Sequence, residues 1–150
     1  DYQHEYEQLS RGDVPDDPTL YINVTCKVEP SHAHKGTENW FVMVNVPAGT
    51  KEVAVLALKE IVRAKLETVF GGYITILNED YLSPARLDAQ TGAWHGAIYG
   101  QATNSVAALL RRPKNRIRTP SNIIAVGGTV HPGGGIPLVV RSAIIATESL

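Results

Sequence analysis

One cysteine, Cys26, and one methionine, Met43, are all the sulfur this 150-residue chain contains. A single thiol cannot close an intrachain disulfide, and neither a zinc cluster nor a disulfide framework can be built from it. The composition therefore fits a reducing compartment. Charge of one sign is lacking as well. The formal net charge is -1, so there is no overall pull toward nucleic acid or anionic membrane, and any such role needs a local patch. No run reaches the roughly 18 apolar residues of a membrane-spanning helix. The expected location is cytoplasmic or peripheral on a membrane. His32, His34, His95 and His131 never stand at i, i+4 with an intervening Glu, so no helical zinc site is expected.

What is present is the composition of a folded protein, with 43% apolar and 19% charged residues in a length that can bury one sizeable core. The chain opens on Asp1 rather than Met, which raises the expectation of a fragment whose upstream part is missing. Tyr2, Tyr6 and Leu9 stand at helical spacing before Gly12, Pro15 and Pro18, so a short helix over 1–11 is predicted. Leu20, Ile22, Val24, Cys26 and Val28 alternate with polar residues, the period of a half-buried strand. Trp40 to Val44 is an uninterrupted apolar run, read as a strand buried on both faces. Thr50 can cap a long helix with Val53, Leu56, Ile61 and Leu66 on its stripe and Gly71 and Gly72 at its end. Tyr73 to Leu77 is a short strand candidate. Ser83 and Pro84 have the chemistry of an N-cap and first turn for a helix ending near Gly92.

The last third is rich in glycine. Gly92 to Thr103 reads as a binding or packing loop, Ile123 to Val126 as a short buried strand, Gly127 to Gly135 as a tight turn, and Pro137 as the opening of a terminal helix. Strand, bare turn and helix together have a physical use. Glycine backbone can approach a ligand where side chains cannot. The free N–H groups and positive dipole end of the following helix suit an anionic or electron-rich group, such as a flavin carbonyl. Taken alone, a glycine cluster is more often a plain strand-turn-helix corner.

The wording of the segment goes further. VGGTVHPGGGIPLVVRSA at Val126 to Ala143 resembles the C-terminal FAD signature of the phytoene desaturase family, nearest its carotenoid dehydrogenase branch. DPTLYINVTCKVEPSHA at Asp17 to Ala33, ENWFVMVNVPAG at Glu38 to Gly49 and GAIYGQATNS at Gly96 to Ser105 also resemble it, in the same order. The resemblance implies an α+β chain that is the C-terminal piece of a two-domain FAD-dependent oxidoreductase. Residues 1–121 would belong to the substrate-binding domain, and 122–150 would be the closing strand-turn-helix of the FAD domain. It also implies that the intact enzyme takes a hydride and a proton from a C–C bond of a carotenoid. Gly127 and Gly128 would pass near the FAD pyrophosphate and ribityl chain, Gly135, Ile136 and Pro137 would lie against the isoalloxazine, and Gly134 is a further cofactor-binding candidate. Many wider flavoprotein relatives carry an acidic residue just after the first glycine. Here Gly128 and Thr129 follow, which leaves phosphate or ribityl contacts to backbone amides and the Thr129 hydroxyl.

Equally telling, no G-x-G-x-x-G turn and no acidic residue about 20 positions after it occur, although a dinucleotide-binding fold needs both. FAD is thus expected on the intact protein and not on this piece alone, which is instead expected to self-associate. His131, in the turn, is a candidate for handling the proton that accompanies hydride removal. A histidine that merely bonds the turn's backbone is the preferred reading, and no catalytic residue is assigned. Trp94, Ile98 and Tyr99, among Gly92, Gly96 and Gly100, are candidates for lining a polyene channel, with ordinary core packing the competing account. Arg111, Arg112, Lys114, Arg116 and Arg118 stand within eight residues. They read as a solvated loop first, as peripheral membrane contact second, and not as a nucleic-acid site, for want of interleaved aromatics. Two other functions stay open: a non-catalytic module that binds a hydrophobic ligand or partner, and a flavoenzyme of this fold acting on a retinoid or other isoprenoid.

Overall fold

The computed structural model describes residues 1–99, 106–107, 111–117 and 123–148. Among them are four α-helices and one two-stranded sheet, an α+β content. Packing divides the chain into two compact units, Asp1–Gly96 and Ala97–Leu150.

The first unit begins with α1, Tyr2–Arg11. The Asp1 carboxylate accepts from the Gln3 amide at its start, and Gly12 closes it in the left-handed conformation at φ 84°. Both ends follow from the sequence, because Asp satisfies an orphan amide and Gly tolerates positive φ. Glu5 is buried on this helix and accepts from the Thr19 amide at 3.1 Å and from the Thr19 hydroxyl, tying the Pro15 to Pro18 segment back onto it.

The alternating run from Leu20 to Val28 yields much less strand than its pattern predicts. β1 covers only Tyr21–Asn23, and Thr25–Lys27 turns into a 3-10 helix. The Cys26 amide donates to Asn39 Oδ1 at 3.0 Å, and Asn39 Nδ2 donates to Thr25 Oγ1 at 2.6 Å. These side-chain bonds offer the backbone an alternative to a ladder.

β2, Phe41–Met43, pairs antiparallel with β1 in the register Tyr21↔Met43, Ile22↔Val42, Asn23↔Phe41. It is not buried on both faces. Ile22 and Val42 are half-covered, while Tyr21, Phe41 and Met43 share an exposed face on which the Tyr21 and Phe41 rings meet edge-on at 6.5 Å. Two short strands cannot cover both sides of a sheet.

α2, Glu52–Phe70, ends at Gly71 as predicted. Its cap differs from the prediction: Lys51 holds the N-cap position, and the buried Thr50 hydroxyl donates to Pro47 O at 2.6 Å. The inward stripe differs too. Val55, Leu58, Val62 and Leu66 face the unit, with Leu58 4% exposed, while Val53, Leu56 and Ile61 face out. α2 thus has apolar residues on both sides, and a 3.6-residue period alone does not choose between them. Tyr73 to Leu77 forms no strand, and Tyr73 is 99% exposed. No described strand lies beside that run to supply ladder partners.

α3, Pro84–Thr91, is as expected: Ser83 Oγ accepts from the Arg86 amide, Pro84 fills the first turn and Gly92 caps the end at φ 70°. A group of polar side chains bridges α2 and α3. The Tyr81 hydroxyl donates to Glu52 at 2.6 Å, Arg86 pairs with Asp80 at 2.9 Å, and Lys59 Nζ lies 4.4 Å from the Tyr81 ring centroid. The Glu52 and Asp80 carboxyls sit below their usual range, chiefly through the hydrogen bonds from Tyr81 and Arg86 respectively.

The second unit contains α4, Ile136–Glu148, whose Ser142 and Ala146 are buried. Ile123 to Val126 forms no independent buried strand. Ile124 makes a single antiparallel bridge to Arg116, the Ile117 amide donates to Ile123 O at 3.2 Å, and Ile123 and Val126 are exposed. Few large apolar side chains are covered among the described residues. The chain exposes 11104 Å², where two separate compact domains of half its mass would together expose about 9000 Å² by the size scaling of folded monomers.

Candidate functional site: a glycine-walled groove

In the second unit the run from Gly127 to Gly135 leaves the Ile124 bridge and enters α4. Gly127, Gly133 and Gly135 hold φ of 134°, 137° and 95°, values that L residues with a Cβ rarely adopt. The run is fixed from beneath by a buried polar pair. Ser142, with none of its surface exposed, accepts at Oγ from Asn115 Nδ2 at 2.7 Å and from the Gly127 amide at 3.3 Å. Asn115 Nδ2 also donates to Ala125 O at 3.1 Å, and the Ala125 amide returns a bond to Asn115 O at 2.7 Å. Arg112 Nη1 donates to Gly128 O at 3.0 Å, and the His131 amide donates to Pro113 O at 2.8 Å. Residues 112–115 therefore hold the turn at Gly128 and His131 and the backbone just before it at Ala125.

Above this base lies an open groove of about 390 Å³ lined by Ile98, Tyr99, Gly128, Gly134, Gly135, Ile136, Val139 and Val140. Its glycines are there for clearance. A Cβ on Gly134 would stand 2.6 Å from the Tyr99 ring, and one on Gly128 would stand 3.4 Å from Gly134 Cα. A Cβ on Gly135 would meet nothing within 4 Å, so the backbone there is open toward the groove. Leu138 and Val139 donate their amides to Gly135 O at 3.0 and 2.9 Å, which starts α4 at the groove's edge.

Of the residues singled out in the sequence, Gly128, Gly134, Gly135 and Ile136 line this groove together with Ile98 and Tyr99. Gly127, Thr129, His131 and Pro137 do not line it. Trp94 belongs to the first unit, where it is exposed and meets the His95 ring edge-on at 4.2 Å. Trp94, Ile98 and Tyr99 are all exposed in this chain. His131 is exposed, and what bonds in it is its main-chain amide. The resemblance segment beyond Tyr99 and the cation Arg118 lie outside the described residues.

Arg112, Asn115 and Ser142 escaped the sequence reading. Arg112 and Asn115 were submerged in a basic run that reads as a solvated loop. Ser142 carried a usable signal, as a hydroxyl set among the apolar residues of α4.

Glycine backbone on one wall, aliphatic side chains on the other and a helix start at the rim define a corner that accepts the edge of a flat, apolar-faced ring system. A flavin ring fits those walls, whereas nothing in the unit has the glycine-rich turn needed to grip an adenine dinucleotide. Among the described residues no cluster of His, Cys, Asp and Glu could hold a metal ion, and no helix is long and apolar enough to cross a membrane.

No protein-family model matches the chain. Individual proteins do match. The chain is 39% identical over 154 aligned residues to 1-hydroxycarotenoid 3,4-desaturase of Flavobacterium sp. (strain P99-3), covering 98% of this chain and 31% of that protein. It is 30% identical to 4,4'-diapolycopene oxygenase of Methylomonas sp, covering 91% of this chain and 29% of the other. Against 4,4'-diapophytoene desaturase of Staphylococcus haemolyticus it is 26% identical over its full length and 32% of that protein. The chain thus spans about a third of the length of the curated relatives it matches. By homology it is a segment of the carotenoid desaturase family.

Proposed function

We propose that this chain is the C-terminal part of an FAD-dependent carotenoid desaturase and contributes the wall against which the flavin ring lies. The observation that carries the reading is the convergence of Gly128, Gly134, Gly135 and Ile136 with Ile98 and Tyr99 on one apolar groove. These are flavin-site and polyene-channel candidates drawn from separate stretches of sequence. Bound FAD would supply the hydride acceptor, the chemistry that no side chain has. The chain's own residues do the rest. Gly135 leaves its backbone bare toward the ring, Ile136, Val139 and Val140 exclude water, and the Ile136 amide and the positive dipole end of α4 favour added electron density at the ring's edge. Tyr99 and Ile98 offer faces on which a polyene can pack. No base is required of His131, because removing an allylic hydride depends on placement at the flavin.

Within this reading, residues 1–121 belong to the substrate-binding domain and 122–150 to the closing strand-turn-helix of the FAD domain. The intact enzyme is cytoplasmic or peripheral on a membrane, where a long isoprenoid substrate dissolves. The names of the relatives support a carotenoid over a retinoid. The test is to purify the intact gene product and incubate it with acyclic carotenes. A yellow flavin spectrum and products of longer conjugation by absorbance are expected. An intact protein without flavin, or a gene whose upstream part lacks a strand followed by a glycine-rich dinucleotide turn, would overturn the reading.

A further inference from the structure

Arg112 is a half-buried cation with no carboxylate partner among the described residues. Its Nη1 donates to Gly128 O at 3.0 Å, and its Nε is buried with no hydrogen-bond partner. The guanidinium packs so tightly on the turn that a Cβ on Gly133 would stand 2.7 Å from Nη1 and 3.2 Å from Cζ. Among the described residues no carboxylate pairs with it: the ion pairs there are all made by other cations. A carbonyl dipole is weak compensation for a full charge drawn partly out of water. The same turn presents further donors, since among the described residues no protein acceptor meets the amides of Gly128 and Thr129. A guanidinium beside consecutive unpaired amides on a glycine backbone is the donor set of an anion-binding concavity.

We propose that Arg112 is a phosphate-binding residue, whose guanidinium takes up an oxygen of the pyrophosphate of the dinucleotide flavin at the Gly127 to Thr129 turn. This rests on the desaturase reading. Arg112 acts in binding only. The prediction that separates this role from a merely structural one is selectivity between FAD and riboflavin, which shares the ring and has no phosphate.

The experiment uses the intact apoprotein, with flavin affinity read by fluorescence quenching at several salt concentrations. Arg112→Gln should weaken FAD about 10- to 100-fold, the range of a lost charge-assisted hydrogen bond. Riboflavin affinity should stay unchanged, and the FAD affinity of the variant should fall less with added salt than that of the parent. Arg112→Lys, which keeps the charge, should fall between the two. Equal FAD affinity in parent and Arg112→Gln, or an equal loss for FAD and riboflavin, overturns the proposal. If Arg112→Gln does not fold, Arg112→Lys decides by the same comparison: a loss confined to FAD supports the proposal, and an unselective or absent change overturns it. A parent protein that binds neither flavin fails the desaturase reading instead.

Discussion

Ser142 Oγ, on α4, accepts the amide of Gly127 at 3.3 Å across 15 residues of chain, with none of the serine's surface exposed. The contact makes the turn and the helix one object, because the same oxygen also receives Asn115 Nδ2. Ser142→Ala would leave a buried amide nitrogen and a backbone N–H with one acceptor fewer. The expected destabilisation is about 1–3 kcal/mol, the cost of orphaning buried donors. Urea unfolding followed by circular dichroism measures it. A change below about 0.5 kcal/mol, the range of neutral surface substitutions, would show that solvent replaces the hydroxyl.

The contrast between Gly135 and His131 tests where the ring lies. Gly135 lines the groove and sits at φ 95°, so Gly135→Val both strains the backbone and adds bulk at the wall proposed for the flavin. His131 is outside the groove lining. In the intact enzyme Gly135→Val should lose bound flavin, read from the ratio of flavin to protein absorbance, whereas His131→Ala should keep it. The opposite pattern would move the isoalloxazine away from Gly135 and give His131 the catalytic part.

Much of the local structure was legible because it is decided within a few residues. Gly12, Ser83, Pro84, Gly71 and Gly92 each act on the backbone beside them, and the helix ends they mark came out as read. The strands were not legible, since a strand is decided by what pairs with it. Leu20 to Val28 has the right alternation, yet Asn39, 13 residues beyond Cys26, draws that backbone into a turn. The outward set on α2 failed for a related reason: Val53 and Val55 have equal claims to burial until the packing partner is known. At the site, the glycines announced themselves by kind, while Arg112 and Ser142 matter through contacts 16 and 15 residues distant.

The polar group joining α2 and α3 gives the first unit a dependence on acid. Glu52 and Asp80 are held below their usual range by the bonds from Tyr81 and Arg86. A depressed carboxyl contributes stability that is fully present above its unfolded value, near 4.5 for Glu52 and 3.8 for Asp80, and is lost as pH falls through the lower folded value. Unfolding midpoints should therefore be flat from neutral pH down to that range and then decline. Tyr81→Phe removes the largest cause of the Glu52 shift and should shrink the decline. The same slope in parent and variant would mean that the Tyr81 to Glu52 bond contributes nothing measurable, as befits many exposed pairs.

The surface of the chain bears on how it behaves when separated from the rest of a desaturase. Val53 and Phe70 on α2 and Ile136 and Val140 on α4 are exposed, and so is the sheet face of Tyr21, Phe41 and Met43. Monomers rarely leave large apolar area of this kind uncovered, and among the described residues β1 and β2 each also present an unpaired edge that another chain can extend. The isolated 150-residue chain is therefore expected to self-associate, and to do so more strongly as salt is raised, because hydrophobic contact strengthens while charge repulsion is screened. Light scattering against concentration reads the effect, and sub-critical amounts of mild detergent should reverse it by covering the same faces. Strict monomer at high concentration, without detergent, would show that the described units close their own cores and that the exposed side chains need no partner.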